Sequence, residues 1–171
     1  PDSIDFLQTV TTNNVRKLKI NGGQYSTCLN ENGGVFDDLM LYRIGEEEFI
    51  WVTNAANGAK IWAHLQEQAK KFDVEVIDRT KEIAMIAGQG PNALSLLGKM
   101  SGKDMAEFGR FTCNPLNIAG YDTYLCRTGY TGEEGAEILV LDTSFSDEGK
   151  ERAIGFWEEL LKQGTEFGIK A

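Results

Sequence analysis

The sequence predicts an α+β protein with mainly antiparallel sheets and split β-α-β (ferredoxin-like) elements. Strand-like runs come in pairs joined by short turns, which is the pattern of antiparallel hairpins. Amphipathic helices separate these pairs at irregular intervals, whereas a doubly wound parallel sheet alternates single strands with single helices. A chain of 171 residues, 42% hydrophobic and 25% charged, suits one domain with a full core or two small domains that share an interface.

The first half of the chain predicts two helices and four strands. Asp2 or Ser3 caps a short first helix, and Asn54 or Asn57 caps a longer second one. Asn32-Gly33 predicts a type I′ hairpin turn, which needs positive φ at both central residues. The strands of this half are predicted over residues 25–29, 35–44, 49–53 and 74–78.

The second half predicts two more helices and four more strands. Pro91 takes the first-turn position of the third helix, and Ala119-Gly120 predicts a second hairpin turn. The strands of this half are predicted over residues 83–87, 116–118, 121–127 and 136–141. The last helix is amphipathic, with an apolar face predicted from Ile154, Trp157, Leu160 and Leu161.

Charge and hydropathy exclude two classes of partner. The net charge is −9, because 26 acidic residues outnumber 17 basic ones. A field of this sign repels nucleic-acid phosphates and anionic lipids, so we expect neither nucleic-acid nor membrane binding. No apolar run reaches the roughly 20 residues that span a bilayer, and no basic-then-apolar leader opens the chain. Both termini look arbitrary, so we expect a piece of a longer polypeptide.

The cysteines and the single histidine argue against a metal site. Cys28, Cys113 and Cys126 are odd in number, far apart and without a CxxC spacing, so they predict reduced thiols in a cytosol-like compartment. His64 lies on a predicted helix, where surface exposure or packing is its ordinary role. One histidine without a cysteine cluster supports neither zinc nor a Ser-His-Asp triad.

The stretch NENGGVFDDLMLY places Asp37 and Asp38 side by side in an apolar strand. Neighbouring side chains in a strand point to opposite faces, so we expect Asp37 to lie with Val35, and Asp38 with Phe36 and Met40. The two carboxylates therefore cannot share a proton as a protease dyad does. A buried carboxylate needs donors, a cation or a ligand. We expect a structural role for Asp37, through turn amides or an arginine, and either that role or a ligand contact for Asp38.

The stretch RTGYTGEEGAEILV, which begins at Arg127, is the second candidate. Its three glycines predict a tight, specifically shaped loop with Tyr130 at its tip. Glu133 and Glu134 are expected to be solvated. Glu137 follows in a strand, on the face opposite the apolar residues that alternate with it, and an inward carboxylate again needs a donor.

The stretch AGQGPNAL offers a rival interpretation. Gly88-x-Gly90-x-x-Ala93 matches a dinucleotide fingerprint between a strand and a helix. However, Pro91 removes a backbone N–H where a phosphate needs donors, and no acidic strand end follows about 20 residues later to bind a ribose. A plain strand-to-helix turn is the better interpretation.

Four stretches, QYSTCLNENGGVFDDLMLYR, VTNAAN, IAGQGPNA and RTGYTGEEGAEI, together closely resemble the glycine cleavage T-protein family of tetrahydrofolate-dependent aminomethyltransferases. The resemblance covers nearly the whole chain, in family order and at family-like spacing. It extends less closely to dimethylsulfoniopropionate demethylases, to the folate domains of sarcosine and dimethylglycine dehydrogenases, and to non-catalytic folate-binding relatives.

The resemblance implies a three-domain, cloverleaf-like protein whose first two domains form a folate pocket. It implies that residues 1–50, with 109–140, belong to a first folate-binding subdomain and residues 51–108 to a split β-α-β subdomain. Residues 141–171 are then a closing helix, and the C-terminal domain of the family is expected to be absent from this sequence.

The resemblance also implies a reaction and its residues. In this family, tetrahydrofolate is a co-substrate that takes a methylene group from the aminomethyl-lipoyl arm of the H-protein, with release of ammonia. Asp38 is the implied catalytic residue, which holds and polarises the folate amine. The implied tetrahydrofolate-binding residues are Tyr25, Met40, Asn54, Tyr130 and Glu137, with Tyr130 and Glu137 at the pterin end. Lipoylated H-protein is the implied partner, in the cytoplasm or in the mitochondrial matrix of a eukaryote.

Two alternatives stay open within this resemblance. One is a folate-binding module that senses or scaffolds without transferring carbon, although such relatives usually lose the D-D motif. The other is a demethylase that takes a methyl group from a sulfonium donor and keeps the same folate pocket.

Overall fold

Two antiparallel sheets, one in each half of the chain, confirm the predicted α+β class. The computed structural model describes every residue from Pro1 to Ala171. The chain divides into two units, Pro1–Asp78 and Arg79–Ala171, and each unit has its own sheet, helices and apolar core. This division differs from the subdomain boundaries expected at residues 50, 108 and 140, because the strand Gly135–Val140 pairs with the strand Ala84–Gln89.

The first unit is built on a three-stranded sheet with the order β1-β2-β3. Its strands are Gly23–Leu29 (β1), Val35–Arg43 (β2) and Phe49–Thr53 (β3). Two helices, Ser3–Val10 (α1) and Gly58–Ala69 (α2), pack on one face of this sheet. The buried core between them consists of Phe6, Leu7, Val10, Val15, Leu18, Cys28, Leu39, Leu41, Ile61 and Leu65.

The second unit is built on a four-stranded sheet with the order β4-β7-β6-β5. Its strands are Ala84–Gln89 (β4), Cys113–Ile118 (β5), Tyr121–Cys126 (β6) and Gly135–Val140 (β7). Helix Ala93–Ser101 (α3) joins β4 to β5, which β7 and β6 separate in the sheet, and helix Asp147–Gly164 (α4) follows β7. Both helices pack on the core formed by this sheet. None of the helices has the length and apolar character needed to cross a membrane.

The two hairpin turns have different backbone geometries. Ala119 and Gly120 both have positive φ, 53° and 89°, as the predicted two-residue turn requires. In the turn between β1 and β2, by contrast, Gly33 has positive φ but Asn32 does not, so the prediction of a type I′ turn was wrong. The Asn30 side chain organises this longer loop, because its Oδ1 accepts hydrogen bonds from the N–H groups of Asn32 at 2.9 Å and of Gly34 at 2.8 Å.

A β-bulge at Phe36 changes the face of the sheet on which Val35 and Phe36 lie. In the pairing of β1 with β2, Leu29 is opposite Val35 and the neighbouring Cys28 is opposite Asp37. Phe36 is therefore an extra residue without a partner in β1. Phe36 packs on the core and against the His64 ring, 4.9 Å away between centroids, whereas Val35 is 64% exposed. The expectation that Val35 lies with Asp37, and Phe36 with Asp38, was wrong because it assumed a regular ladder. Of the two ordinary roles expected for His64, surface exposure and packing, the structure shows packing.

Two further predictions were wrong: the strand over residues 74–78 and the apolar face of α4. Residues 74–78 form no strand, because this segment packs Val74 and Val76 on the first core without an adjacent strand to pair with. In α4, Phe156 and Leu160 are buried, whereas Ile154 is 56% and Trp157 39% exposed. The apolar face predicted for this helix is therefore rotated, and only Leu160 of its four residues is fully buried.

Candidate functional site

Asp37 is a buried carboxylate that the protein satisfies completely. It accepts hydrogen bonds from the Thr53 hydroxyl, from the Asn54 N–H at 3.0 Å, and from the side-chain amides of Asn54 at 2.9 Å and Asn57 at 2.7 Å. Burial raises the pKa of Asp37, but these hydrogen bonds favour the charged form more strongly and lower the pKa to about 2. Asp37 therefore has a structural role, although its donors come from the last residue of β3 and the segment that follows it, and not from the hairpin-turn amides or an arginine.

Asn54 and Asn57 serve the two aspartates and not the helix that they precede. Asn57 occupies the N-cap position of α2, yet its side chain makes no capping hydrogen bond. Asn54 Nδ2 lies 2.9 Å from Asp37 Oδ1, 2.9 Å from Asp38 Oδ1 and 3.3 Å from the Asp38 carbonyl oxygen. The capping prediction was wrong because both side chains are oriented so that their Nδ2 atoms donate to the aspartates, and neither accepts a capping hydrogen bond. Asn54 instead fixes Asp38 relative to Asp37.

Asp38 lies on the face of β2 opposite Asp37, beside Tyr25 and Met40. Tyr25 of β1 is opposite Met40 of β2, and Asp38 is two residues before Met40, so its side chain lies on the same face of the sheet. A hydrogen bond with Asp38 is the main cause of the raised pKa of Tyr25, followed by burial and by the negative charges of Asp38 and Asp37. The structure therefore brings together Tyr25, Asp38 and Met40 on one sheet face, with Asn54 joining them from the end of β3.

Glu137 is the second buried carboxylate, in β7 of the second unit. It is 8% exposed and accepts one hydrogen bond, from the Thr128 hydroxyl at 2.6 Å. Its neighbours Ala136 and Ile138 face the core, which confirms the predicted alternation. An ionised carboxylate has about four lone-pair positions, so Glu137 keeps acceptor capacity that the protein does not use.

The glycine-rich loop between β6 and β7 is held by the buried guanidinium of Arg127. This group donates to the carbonyl oxygens of Gly135 at 3.0 Å and Phe108 at 2.6 Å, and to the Glu134 carboxylate at 2.7 Å. Arg110 also donates to Glu134, at 2.9 Å. Glu134 is exposed, as expected, but it also pairs with both arginines. The buried guanidinium of Arg127 requires such a partner, whereas Arg110 is exposed.

Gln89, at the end of β4, fixes the same loop from the other side. Its side-chain amide donates to the Thr128 carbonyl oxygen at 3.0 Å and accepts from the Thr131 hydroxyl at 3.1 Å. A Cβ on Gly135 would overlap the backbone of β4, so only glycine fits there. These contacts explain the tight loop that the glycines predict, and they leave Tyr130 at its tip, 73% exposed.

The backbone donors of the dinucleotide-like stretch are already used or absent. The Gly90 N–H donates to the Glu134 carbonyl oxygen at 2.8 Å. Helix α3 begins at Ala93, two residues after Pro91, with Asn92 at its N-cap. The plain strand-to-helix turn is therefore the correct interpretation, although Pro91 lies before the helix and not in its first turn.

Four side chains that were not predicted as site residues support the candidate residues, and of these the sequence had assigned only Asn57 a role, as a helix cap: Thr53, Asn57, Gln89 and Thr128. Each is a polar residue within or next to one of the four family-like stretches. Their roles depend on which strands are neighbours, so local sequence patterns carry little indication of them.

Comparison with known sequences points to one family. A family model described as the GCVT N-terminal domain (GCV_T) matches residues 1–171. The chain is 47% identical over 139 residues to an aminomethyltransferase of Thermus thermophilus, which covers 81% of this chain and 40% of the relative. It is 40% identical over 171 residues to an aminomethyltransferase of Bacillus cereus, which covers 99% of this chain and 44% of the relative. The chain thus spans less than half the length of these relatives.

Comparison with solved structures agrees with the comparison of sequences. The crystal structure of glycine cleavage system aminomethyltransferase T from Bartonella henselae is similar to this chain with a TM-score of 0.79 and 34% sequence identity. The match covers 94% of this chain and 41% of that structure.

Proposed function

Because the chain belongs to the family of the GCVT N-terminal domain, we propose that it is the folate-binding part of a tetrahydrofolate-dependent aminomethyltransferase of the glycine cleavage system. In the proposed reaction, tetrahydrofolate takes a methylene group from aminomethyl-lipoyl H-protein, and ammonia is released. The names of the Thermus thermophilus, Bacillus cereus and Bartonella henselae relatives support this activity. The proposed partner is lipoylated H-protein, in the cytoplasm or the mitochondrial matrix.

One observation carries the proposal: the carboxylates differ in the number of hydrogen bonds that they accept from the rest of the protein and in their exposure. Asp37 is saturated with donors, whereas Glu137 accepts a single hydrogen bond. Asp38 is only half-buried and presents its carboxylate beside Tyr25 and Met40. A reduced pterin offers N–H donors and an apolar ring face. The unused acceptor positions of Glu137 suit the donors, and the side chains of Tyr25 and Met40 beside Asp38 suit the ring.

Each candidate residue then has a specific role in the proposal. Asp38, held by Asn54 and Tyr25, holds and polarises the folate amine, while Met40 supplies apolar surface. In the second unit, Glu137 accepts from pterin N–H groups and Tyr130 provides an aromatic ring. These residues act by positioning and by electrostatic stabilisation, so the reaction needs no covalent enzyme intermediate.

Anaerobic calorimetry with tetrahydrofolate tests the pocket. We expect Asp38→Asn to weaken binding by about tenfold or more, since a charge-assisted hydrogen bond contributes roughly 1.5–3 kcal/mol. The matched control is Asp122→Asn, because Asp122 is an exposed strand aspartate of the second unit. The same comparison applies to Glu137→Gln against the exposed Glu133→Gln. Equal affinities within both pairs, in variants with unchanged circular dichroism, would refute the site assignment.

The carbon donor requires a separate assay. Methylene transfer that depends on aminomethyl-lipoyl H-protein supports the aminomethyltransferase. Methyl transfer from a sulfonium donor would identify the demethylase instead, and tetrahydrofolate binding without either transfer would identify a non-catalytic module. The assay should use this chain within the longer polypeptide to which its relatives correspond, since it spans 40% of the Thermus thermophilus enzyme.

A further inference from the structure

Two cysteines that the proposed function does not use lie side by side in the second unit. Cys113 in β5 is the direct cross-strand partner of Cys126 in β6, and their Sγ atoms are 3.1 Å apart. Both side chains are buried and both are thiols. The S–S bond of a disulfide measures about 2.05 Å, so the two sulfur atoms need to approach by only about 1 Å to bond.

The position of the pair in the ladder also suits a disulfide. Residue pairs in an antiparallel ladder alternate between hydrogen-bonded and non-hydrogen-bonded types. Pro115 is opposite Tyr124, and because proline has no N–H to donate, this pair is of the non-hydrogen-bonded type. Cys113 is two residues from Pro115, so its pair with Cys126 is also of the non-hydrogen-bonded type. The Cα atoms of such a pair are about 4.5 Å apart, within the range of about 4.4–6.8 Å that disulfides accept.

Access to the thiols comes from the edge of the sheet. β5 is an edge strand that pairs with β6 alone. Pro115 cannot donate to the ladder, and proline in a sheet is typical of such an edge. Local opening of an edge segment requires less free energy than global unfolding. A small oxidant therefore reaches both sulfur atoms when β5 opens.

We propose that Cys113 and Cys126 are a modification site, where a peroxide forms a reversible intrachain disulfide. One thiol attacks a peroxide oxygen, which gives a sulfenic acid and releases water. The second thiol then attacks the sulfenic sulfur, so that the S–S bond forms and a second water leaves. A dithiol reductant restores both thiols by thiol–disulfide exchange and is itself oxidised to a disulfide. The bond links β5 to β6 at Cys126, which is paired on its other side with Glu137 of β7.

Thiol counting by mass spectrometry tests the proposal. The folded protein is treated with hydrogen peroxide, quenched with catalase, unfolded without reductant and alkylated with N-ethylmaleimide. We expect the number of alkylated thiols to fall from three to one. Peptide mapping should show a cross-link between Cys113 and Cys126, and dithiothreitol treatment before alkylation should restore all three.

Cys28 provides the matched control, because it is a buried thiol of the other unit. Its cross-strand partner is Asp37 and not a second thiol, so no disulfide can form there. Burial, and then the negative charge of Asp37, also raises the pKa of Cys28 to about 11. Cys28→Ser should leave the cross-link unchanged, whereas Cys113→Ser and Cys126→Ser should each abolish it. Three alkylated thiols after peroxide treatment, or a cross-link that includes Cys28, would overturn the proposal. Should a serine variant fail to fold, the peptide map of the unsubstituted protein decides.

Discussion

Asp37 in the first unit and Glu137 in the second are both buried carboxylates on interior strands of their sheets, yet the protein satisfies them very differently. Asp37 is 5% exposed and accepts four hydrogen bonds from three residues. Glu137 is 8% exposed and accepts one. Burial of a charge is therefore a poor indicator of a ligand site by itself. The number of acceptor positions that the protein leaves unused separates the scaffold carboxylate from the candidate ligand carboxylate.

The largest effect is expected when the saturated carboxylate is removed. Asp37→Ala leaves the donors of Thr53, Asn54 and Asn57 without their acceptor, so the free energy of unfolding should fall by about 3 kcal/mol or more. Asp38→Ala, at a half-buried position, should lower it by only about 1 kcal/mol. Urea denaturation followed by circular dichroism measures both values. Equal losses for the two variants would contradict the structural role of Asp37.

The lowered pKa of Asp37 predicts a specific sensitivity to acid. The unfolded chain takes up this proton near pH 3.9 and the folded chain only near pH 2, so the stabilisation is fully present above about pH 4. It is lost as the pH falls through about 2, and amounts to about 2 kcal/mol. Urea midpoints between pH 6 and pH 2 should show this loss in the unsubstituted protein and in Asp38→Asn. In Asp37→Asn this component of the pH dependence should be missing.

Substitution of Asn57 by aspartate distinguishes a donor from a helix cap. Aspartate is a favourable N-cap residue, so a capping role predicts no loss of stability for Asn57→Asp. The structure predicts a loss of about 1–2 kcal/mol, because the variant removes a donor from Asp37 and places a second negative charge beside it. Asn14→Asp is the control, because the Asn14 side chain does cap a turn by accepting from the Arg16 N–H at 3.1 Å. Its stability should change by only a few tenths of a kcal/mol.

The smallest effect is expected at the single donor to Glu137. Thr128→Val removes that hydroxyl at nearly constant volume and should lower the free energy of unfolding by about 1 kcal/mol, well below the effect of Asp37→Ala. Thr131→Val, in the exposed part of the same loop, should cost only a few tenths of a kcal/mol. Thermal denaturation of the two variants measures the difference. A Thr128→Val loss as large as that of Asp37→Ala would show that Glu137 is also part of the scaffold.

Sequence reasoning succeeded where the backbone is regular. Alternation along β7 correctly assigned Glu137 to the face opposite Ile138, because that strand is uninterrupted. The same reasoning failed at Phe36, where an extra residue shifts the alternation and no composition rule marks the bulge. Strand pairing was equally hidden, since the segment around Val76 has a strand-like pattern but lacks a neighbour.

The candidate site was only partly predictable for a related reason. Alternation along the strand made Asp38 a candidate for a ligand contact, but its catalytic role and the choice of Asn54 as a binding residue came only from the resemblance to a family. Local capping rules assigned Asn57 to the helix that it precedes, whereas its actual acceptor, Asp37, is 20 residues earlier. The register between β2 and β3 brings these groups together, and register depends on tertiary contacts that one sequence does not reveal.

The bulge at Phe36 has an evolutionary consequence. It lies between the Asn30 loop and the two aspartates, and the regular part of the ladder begins only after it, with Asp37 opposite Cys28. An irregular pair of this kind absorbs changes in loop length, so insertions or deletions at the hairpin tip need not propagate into the register of the aspartates. We therefore expect a change in length at the tip to leave the two aspartates in place.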